Sequence, residues 1–365
     1  MNHPRLILLF LVIVSCNKPS PSSNPPGTTN PPGTAQDTTK PPVILPDTSL
    51  TAGVYVTGDT LNSYDLPKAV YWKNGSVIGL TNNSSSSGTG IAISNDTLYI
   101  SCSGIFLGNN VTYWKNRIGL NLTDPSLTYP TGSALALSGT DIYVAGIAYI
   151  NGGEKIIPVY WKNTDKAIHI ATPTFSASTV KAIAVSENDV YISGQSFDAP
   201  LNNGYAATYW KNGEPVYLHT TNQTYHTSIA NSIVVSGPDI YVAGNSDTSI
   251  NPGANTILAV YWKNGVPTKL STNVESNANS IFLLGNDVYV AGAIFGNDGL
   301  SRATYWKNGV AINLDPEFSI AQAIMVDGPD VYVVGNHGID RAVCWKNGTP
   351  IDLGRGHAYA IAIKH

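Results

Sequence analysis

The chain has 365 residues, enough for two average domains or for one large all-β domain. Only 12% of the residues are charged, about half of the usual share for a globular protein, and the formal net charge is −4. The sequence contains no basic stripe, which argues against a nucleic acid as a partner. Asn, Ser, Thr and Gly supply the polarity instead, and a neutral polar surface of this kind suits an extracytoplasmic protein.

Residues 1–15 have the character of a secretory signal peptide. Arg5 supplies a positive charge, and residues 6–15 form an apolar run that is shorter than the roughly 20 residues needed to span a bilayer. The letters IVSC at residues 13–16 resemble the lipobox of bacterial lipoproteins. The resemblance implies that the Cys16 thiol is acylated and becomes the mature N-terminus. The alternative is an ordinary signal peptide with a chance cysteine.

Residues 16–48 form a stretch rich in Pro, Ser and Thr with almost no apolar side chains. Such a segment cannot bury enough surface to offset its ordering entropy, so we expect a disordered linker. At about 3.1 Å per residue, an extended linker of this length would reach roughly 90 Å. The expected location is therefore the cell envelope, with the folded domain lipid-anchored to the outer membrane on either its periplasmic or its surface side.

Residues 49–365 contain a motif that repeats seven times. All seven tryptophans fall in it, and most of them are preceded by Tyr and followed by Lys-Asn-Gly. They are, in order, Trp72, Trp114, Trp161, Trp210, Trp262, Trp306 and Trp345. Each unit holds four short apolar runs, which we label A, B, C and D. Examples are residues 182–185 for A, 287–292 for B, 303–307 for C and 310–314 for D.

The four runs have the β-branched and aromatic residues of strands, and no stretch has a helical period. The Asn-Gly pair between C and D favours a type I′ hairpin turn, because both residues tolerate a positive φ. Four short strands in about 45 residues, repeated seven times, predict an all-β fold. Its expected form is a seven-bladed β-propeller with four antiparallel strands per blade.

The two ends of the repeat region complement each other. The region begins at residue 53 with a B strand that has no A strand before it. The chain finishes with an A strand, residues 358–363, that has no B strand after it. We predict that residues 358–363 pair into the first blade as its inner strand, which would close the ring and leave no exposed edge.

The motif resembles the HAF-type extracellular repeat. Residues 302–309 (RATYWKNG), 312–314 (INL), 321–324 (AQAI) and 331–335 (VYVVG) follow that repeat's order of Ala-x-x-Trp-x-x-Gly, Leu, Ala-x-x-Ile and Val-x-Gly. The resemblance covers residues 53–363 and implies an extracellular propeller of a family without an assigned chemistry. Family members often carry His before the Ala, where this chain has Arg or an uncharged residue.

The tryptophans are predicted to be core residues. Each stands at the same mid-strand position, where it would fill the wedge between neighbouring blades and bury roughly 150–250 Å². Sugar-stacking platforms are the alternative. Cys102 and Cys344 are assigned to the second and seventh blades, so their Cα atoms should lie beyond the roughly 7 Å limit for a disulfide. We expect two free, buried and unreactive thiols.

No cofactor and no metal site is predicted. The histidines lack His-x-His or His-Glu-x-x-His spacing, and the chain has neither a Gly-x-Ser-x-Gly motif nor a phosphate-binding glycine loop. His337 and His357 both fall on loops of the seventh blade, with Arg355 nearby. A shared site there and two separate solvated side chains both remain open.

A ring of variable residues is predicted at the mouth of the central channel, where strand A of each unit begins. The ring consists of Thr89, Ser133, Lys181, Asn231, Asn279, Gln322 and Tyr359. Six of these side chains are neutral hydrogen-bonding groups, and none is a carboxylate. Because a hydrolase that works by general acid and base needs paired Asp or Glu, the ring argues against catalysis.

The B–C and D–A connections vary in length, whereas the A–B and C–D turns are short in every unit. The two variable classes emerge on the same face of a propeller, and diversified loops are where binding sites are found. The candidate binding residues on this face are Phe106, Tyr149, Phe197, Tyr205, Phe295, His337 and His357. The alternative is that each aromatic side chain only pins its own loop.

The sequence therefore favours a non-catalytic recognition module or scaffold of the bacterial cell envelope. We expect a monomer that is anchored to the membrane by its lipid and binds a protein or a glycan through the B–C/D–A face. One alternative is a glycan-active hydrolase or lyase that uses loop carboxylates, namely Asp198, Asp298, Asp315 and Glu317. The other is a purely structural envelope protein, which predicts no concave site.

Overall fold

The structure is a computed structural model of the chain. It describes residues 50–62, 64–81, 85–104, 111–122, 124–150, 155–163, 166–170, 178–198, 204–218, 227–247 and 256–365. The chain divides after residue 45, and every described residue belongs to the compact unit 46–365. The predicted signal peptide, the linker and Cys16 lie outside the described residues, so they stay predictions.

The described residues form strands and turns. In chain order the first strands are β1 (Gly53–Leu61), β2 (Pro67–Lys73), β3 (Ser76–Gly79), β4 (Ser86–Ser94), β5 (Thr97–Gly104), β6 (Val111–Lys115) and β7 (Ile118–Leu122). The next are β8 (Thr128–Ser138), β9 (Asp141–Ile150), β10 (Lys155–Lys162), β11 (Ile168–His169), β12 (Thr179–Ser186), β13 (Asp189–Asp198), β14 (Gly204–Lys211) and β15 (Glu214–Tyr217).

The second half of the chain continues the pattern. Its strands are β16 (Ser228–Ser236), β17 (Asp239–Asp247), β18 (Ile257–Lys263), β19 (Val266–Lys269), β20 (Ser276–Leu284), β21 (Asp287–Phe295), β22 (Ser301–Lys307), β23 (Val310–Asn313), β24 (Ser319–Asp327), β25 (Asp330–His337), β26 (Arg341–Lys346) and β27 (Thr349–Lys364). In the part of the chain that the structure describes, no helix is long and apolar enough to cross a membrane.

The strands form six antiparallel sheets. Five sheets have four strands each, and we number them 2 to 6: β4–β7, β8–β11, β12–β15, β16–β19 and β20–β23. The remaining sheet, which we call the large sheet, has seven strands in the order β24-β25-β26-β27-β1-β2-β3. Within each four-stranded sheet, neighbours along the chain are neighbours in space, so the sheets are built from consecutive hairpins.

The hairpin turns follow from their residues. In the turn between β22 and β23, Asn308 has a φ of 51° and Gly309 a φ of 83°, as a type I′ turn requires. The Asn308 side chain also accepts a hydrogen bond from the Val288 amide and donates one to Asp287. The same contacts recur at Asn163, Asn212, Asn264 and Asn347. The motif asparagine therefore shapes the turn and ties it to the neighbouring strand.

The hydrophobic core lies between the sheets. Trp161 of β10, for example, packs with Tyr99 and Leu122 of sheet 2. Six of the seven motif tryptophans are at most 1% exposed, and Trp114 is partly buried. Seven such clusters occur among the described residues, and each joins one four-strand repeat to the next. The prediction that the tryptophans are core residues is confirmed.

The C-terminal strand β27 belongs to both halves of the large sheet. Its residues 349–355 pair with β26, and its residues 356–364 pair antiparallel with β1. In this register Ile361 lies opposite Val56, and Ala358 lies opposite Gly58. The last strand of the chain therefore hydrogen-bonds to the first strand that the structure describes.

Candidate functional site

The first strand of each four-strand repeat contains a β-bulge at a corresponding position, and β8 has a second irregularity between Thr128 and Thr131. In β4, Gly88 lies opposite Cys102 and Gly90 lies opposite Ser101, so Thr89 between them has no partner in the ladder. A bulge redirects the side chain of its extra residue. The residues in this position are Thr89, Ser133, Lys181, Asn231, Asn279, Gln322 and, in β27, Tyr359. They are the seven residues of the predicted ring.

All seven bulged residues line one cavity of about 440 Å³, which we call the mouth cavity. The strands that carry them contact one another in the order β4, β8, β12, β16, β20, β24 and β27, and β27 contacts β4 in turn. Side chains from distant parts of the chain meet here because the bulges point them toward the same space. The structure thus brings together every residue of the predicted ring.

Two asparagines in the mouth cavity are held by neighbouring strands. The Asn231 amide nitrogen donates a hydrogen bond of 2.8 Å to the Ala278 carbonyl, and Asn279 donates one of 2.9 Å to the Ala321 carbonyl. Each bond crosses from one sheet to the next and fixes the orientation of the amide. The cavity therefore presents amide and hydroxyl groups in set positions, as sites for polar ligands do.

Lys181 is the one charged side chain among the described residues that line the mouth cavity. The Lys181 residue is exposed to solvent, and partial desolvation by its neighbours lowers the pKa of Lys181. Within the described part of the chain, Lys181 contacts no carboxylate and no other hydrogen-bond partner. A positive charge in this position is available to a ligand.

A buried carboxylate lies behind the ring residue Tyr359. Asp59 is 1% exposed and accepts hydrogen bonds of 2.8 Å from His357 Nδ1 and 2.7 Å from Ser87 Oγ. His357 Nε2 lies 3.2 Å from the Ile339 carbonyl oxygen, so a protonated imidazole has an acceptor at each nitrogen. The hydrogen bond that His357 donates to Asp59 is the main cause that raises the pKa of His357, and burial raises the pKa of Tyr359. Tyr359 therefore stays a neutral hydroxyl at the cavity wall.

Sequence reasoning missed Asp59 because its partner His357 is 298 residues away. Asp59 lies at the end of the first B strand, and the corresponding residues of the other repeats are not acidic, so no repeated pattern pointed to a carboxylate at this position. One signal was present: Asp59 and His357 both lie at the junction of the two chain ends, where the predicted pairing of residues 358–363 would bring them close.

A second cavity of about 440 Å³, which we call the tyrosine groove, adjoins the mouth cavity. The two share Ser87, Ser103 and Thr131 as lining residues. Tyr129 and Tyr149 line the groove and pack edge-to-face, with ring centroids 6.2 Å apart. The groove and the mouth cavity therefore form one continuous concave surface.

Tyr129 has two unusual properties. Its side chain is 65% exposed, and its φ of 46° is a left-handed conformation that bulky residues seldom adopt. Strain of this kind persists only where the surrounding structure holds it, and it concentrates at functional sites. The exposed ring of Tyr129 is thus a candidate binding residue.

The predicted loop-face residues do not form a single group. Tyr149 lines the tyrosine groove, whereas Tyr205 is 43% exposed and Phe295 is half-buried at the end of β21. Phe197 pairs through its backbone with Tyr205, but its side chain lies outside the description, as does Phe106 altogether. Of the aromatic residues on this face, the structure places Tyr149 beside the mouth cavity.

His337 and His357 belong to different clusters. His337 lies in a third cavity of about 520 Å³, which we call the histidine cavity, between sheet 6 and the large sheet. Its Nδ1 lies 2.7 Å from Asp315 Oδ2, and its Nε2 lies 3.6 Å from Glu317 Oε2. His357 binds Asp59 instead, so the two histidines do not share a site.

The other predicted loop carboxylates are engaged or undescribed. Asp298 pairs with Arg302 at an exposed position, and this contact lowers the pKa of Asp298 to about 2. The Asp198 side chain lies outside the described residues. No group of three or more His, Cys, Asp and Glu side chains that could hold a metal ion occurs in the described ranges.

The two described cysteines are free and buried, as predicted. Burial raises the pKa of Cys102 to about 12 and that of Cys344 to about 12. Because the thiolate is the reactive form, both groups are unreactive at neutral pH while the protein is folded. They serve as small apolar core residues.

No protein-family model and no curated protein matches the sequence. A puromycin-hydrolyzing peptidase of Mycobacterium tuberculosis resembles the fold with a TM-score of 0.56 and 14% identity, over 84% of this chain and 52% of that one. A puromycin hydrolase has a TM-score of 0.56 and 10% identity, over 85% and 53%. The β-propeller domain of the Trilobed protease from Pyrococcus furiosus, described as an open velcro topology, has a TM-score of 0.50 and 10% identity, over 84% and 94%.

These likenesses concern the fold alone, because the identities are low. Together with the four-stranded antiparallel sheets, they show that the folded unit is an all-β β-propeller. This chain spans about half the length of the two puromycin hydrolases. The HAF-type repeat stays a resemblance carried by the motif.

Proposed function

We propose that the folded unit is a seven-bladed β-propeller whose ring is closed by residues 358–363. Three observations support this arrangement: β27 pairs with β1, the seven hydrophobic clusters each join successive repeats, and the inner strands contact one another in an order that returns to β4. The large sheet then consists of the first and seventh blades, joined edge to edge through β27. The HAF-type motif supports the same blade order.

The propeller serves as a non-catalytic recognition module or scaffold of the bacterial cell envelope. It binds a protein or a glycan through the face that carries the mouth cavity and the tyrosine groove. The observation that carries this proposal is the convergence of seven variable bulge residues, one from each repeat, on a single cavity of neutral polar groups. Such side chains vary between repeats that are otherwise regular, which is expected of a binding site and not of a folding requirement.

The first 48 residues supply the setting of this proposal. The lipobox-like sequence supports acylation of Cys16, and the linker would then hold the propeller, as a monomer, away from the outer membrane. A nucleic acid is disfavoured as a partner by the low charge of the chain. The concave site disfavours the alternative of a purely structural envelope protein.

Affinity capture from the envelope extract of a producing bacterium tests the recognition function. The bait is the chain itself, compared with a variant in which Tyr129 and Tyr149 are both changed to Ala. A matched control carries Val266→Ala and Val310→Ala, two exposed residues of β19 and β23 that line neither cavity. We expect a protein or glycan that the unchanged chain and the control retain and the groove variant loses. Capture that is equal for all three baits, or no capture, contradicts the proposal.

A glycan-active hydrolase is the second candidate, and one observation favours it. Asp315 and Glu317 both line the histidine cavity and lie on either side of His337. Paired carboxylates that face one cavity are what general acid and base hydrolysis of a glycosidic bond uses. Release of reducing ends from envelope polysaccharides tests this candidate, with Asp315→Asn and Glu317→Gln as inactivating changes and Asp298→Asn as the control. No release by the unchanged protein eliminates it.

A further inference from the structure

We propose that the mouth cavity binds the carboxylate of an acidic sugar, with Lys181 as its counter-ion, while adjoining sugar units lie along the tyrosine groove. This inference rests on the proposed recognition function and names its ligand class. It concerns one charge in a site whose other side chains are neutral.

Lys181 differs from the lysines of the repeat motif. Each of the seven motif lysines has its ammonium group 5.1–5.8 Å from the centroid of a Tyr ring, and five also pair with an Asp. Lys181 has neither kind of partner among the described residues, although it stands inside a cavity. Lys181 is exposed, so its ammonium group is free to pair with an anion that enters the cavity.

The single positive charge in the mouth cavity indicates that the bound anion carries one negative charge and not two. Phosphate sites present Arg clusters or helix and loop amides that balance two negative charges. Here one ammonium group is surrounded by uncharged side chains such as Ser133, Gln322 and the hydroxyl of Tyr359. This set suits a monoanion with two oxygens, since Lys181 pairs with the charge and the neutral groups donate to the remaining lone pairs. A carboxylate fits this description.

The tyrosine groove indicates what carries the carboxylate. A pyranose ring has an apolar face and a polar edge, so it suits a groove that combines aromatic rings with serine hydroxyls. Tyr129 and Tyr149 offer the rings, and the partly exposed Ser85 and Ser103 line the same groove. Because the groove adjoins the mouth cavity, one oligosaccharide can place an acid unit at Lys181 and its neighbours over the tyrosines. Each cavity, at about 440 Å³, is of the size that small-molecule sites have.

Calorimetric titration of the full chain in mild detergent tests the proposal. The probes are trigalacturonate, triglucuronate and triguluronate, each compared with its methyl ester, which has the same length and no charge. We expect at least one acid to bind and its ester to bind about tenfold more weakly or not at all. Tyr129→Ala should weaken the binding of the acid and any residual binding of the ester.

Lysine variants locate the charge. Lys181→Met should lose about the same tenfold as esterification, because both remove one side of the ion pair, whereas Lys181→Arg should retain most of the affinity. Lys269→Met, at an exposed position in β19, is the matched control and should bind like the unchanged protein. Lys181→Met should melt at the same temperature as the unchanged protein, since Lys181 is exposed and has no hydrogen-bond or ion-pair partner among the described residues.

Three outcomes overturn the inference: no uronate binds, the ester binds as well as the acid, or Lys181→Met binds as well as the unchanged protein. The recognition function is judged separately by the capture experiment. If the tyrosine variant loses an envelope partner while the uronates do not bind, the recognition function stands and the acidic-sugar inference fails. If capture also fails, both are rejected.

Discussion

Single residues determine how the two chain ends are held together at the mouth cavity. The Asp59 carboxylate is almost fully buried between His357 and Ser87. A buried carboxylate is tolerated when it is paired and hydrogen-bonded, so the contact stabilises the fold while the imidazole is protonated. Arg355, two residues before His357, binds Asp65 and Asp340 in addition, at exposed positions.

The Asp59–His357 contact makes stability depend on pH. The folded-state pKa of His357 is raised above its ordinary value of 6.5. The contribution of the Asp59–His357 contact to the free energy of unfolding is therefore fully present below pH 6.5, and it is lost as the pH rises through the raised pKa of His357. We expect His357→Gln to lower the free energy of unfolding by about 1–3 kcal/mol near pH 5.5 and by less near pH 8.5. Urea denaturation of both proteins at the two pH values measures the difference.

His169→Gln is the control for this measurement, because His169 is exposed on β11 and its replacement should leave the free energy of unfolding unchanged. A deficit for His357→Gln that is the same at both pH values would show that the lost interaction does not involve the protonated imidazole.

At the scale of a strand pair, the bulge and the glycine opposite it depend on each other. In sheet 6 the bulge at Asn279 brings the Asn277 carbonyl oxygen over Gly292, where an added Cβ would lie 1.9 Å from it. The corresponding glycines make the same approach, namely Gly58, Gly146, Gly194, Gly244 and Gly335. β5 departs from the pattern with Cys102 opposite Gly88. The bulge geometry that recurs around the ring therefore requires a glycine in most of the second strands of the repeats.

Gly292→Ala tests this dependence. The methyl group would force β20 and β21 apart at the bulge, so we expect a loss of about 2–4 kcal/mol in the free energy of unfolding. Gly79→Ala in β3 is the matched control, because an added Cβ there meets no atom within 4 Å and the φ is not in the left-handed region. Thermal denaturation compares the two. Equal stabilities would mean that the strands accommodate the methyl group.

The whole molecule depends on the pairing of its first and last strands. Without residues 358–365, β1 would keep β2 but lose most of its pairing with β27, and the hydrophobic cluster around Trp72 would lose Ala358 and Ile361. An uncovered strand edge also offers a template for pairing with another chain. If the ring is closed as proposed, removing the last strand should destabilise the whole molecule.

We expect deletion of residues 358–365 to abolish the cooperative thermal transition of the native protein and to cause self-association. Circular dichroism and analytical ultracentrifugation measure the two effects. Deletion of His365 alone is the control, since its side chain is exposed and it lies beyond the last paired residue, Lys364. A monomeric truncated protein that melts like the control would contradict the ring closed by residues 358–363.

Local features of the fold were accessible from the sequence. Asn308 and Gly309 indicate their turn because the φ values that it requires are a property of those two residue types. The tryptophan motif indicates core positions because an apolar side chain at one place in every repeat must face the same surroundings. The seven ring residues were identified by their variation within a regular strand, and each of them occupies a bulge.

Short-range periodicity and the conformations of individual residue types were enough to predict the strands, their turns, the repeat and the set of side chains at the mouth. Which side chains find partners follows instead from how the sheets pack. Asp59 meets His357, and Tyr129 and Tyr149 form one groove, because sheet packing brings together strands that are far apart in the chain. Lys181 has no counter-ion among the residues that the structure describes. Electrostatic pairing depends on distances between such strands, and residue order along one strand does not contain them.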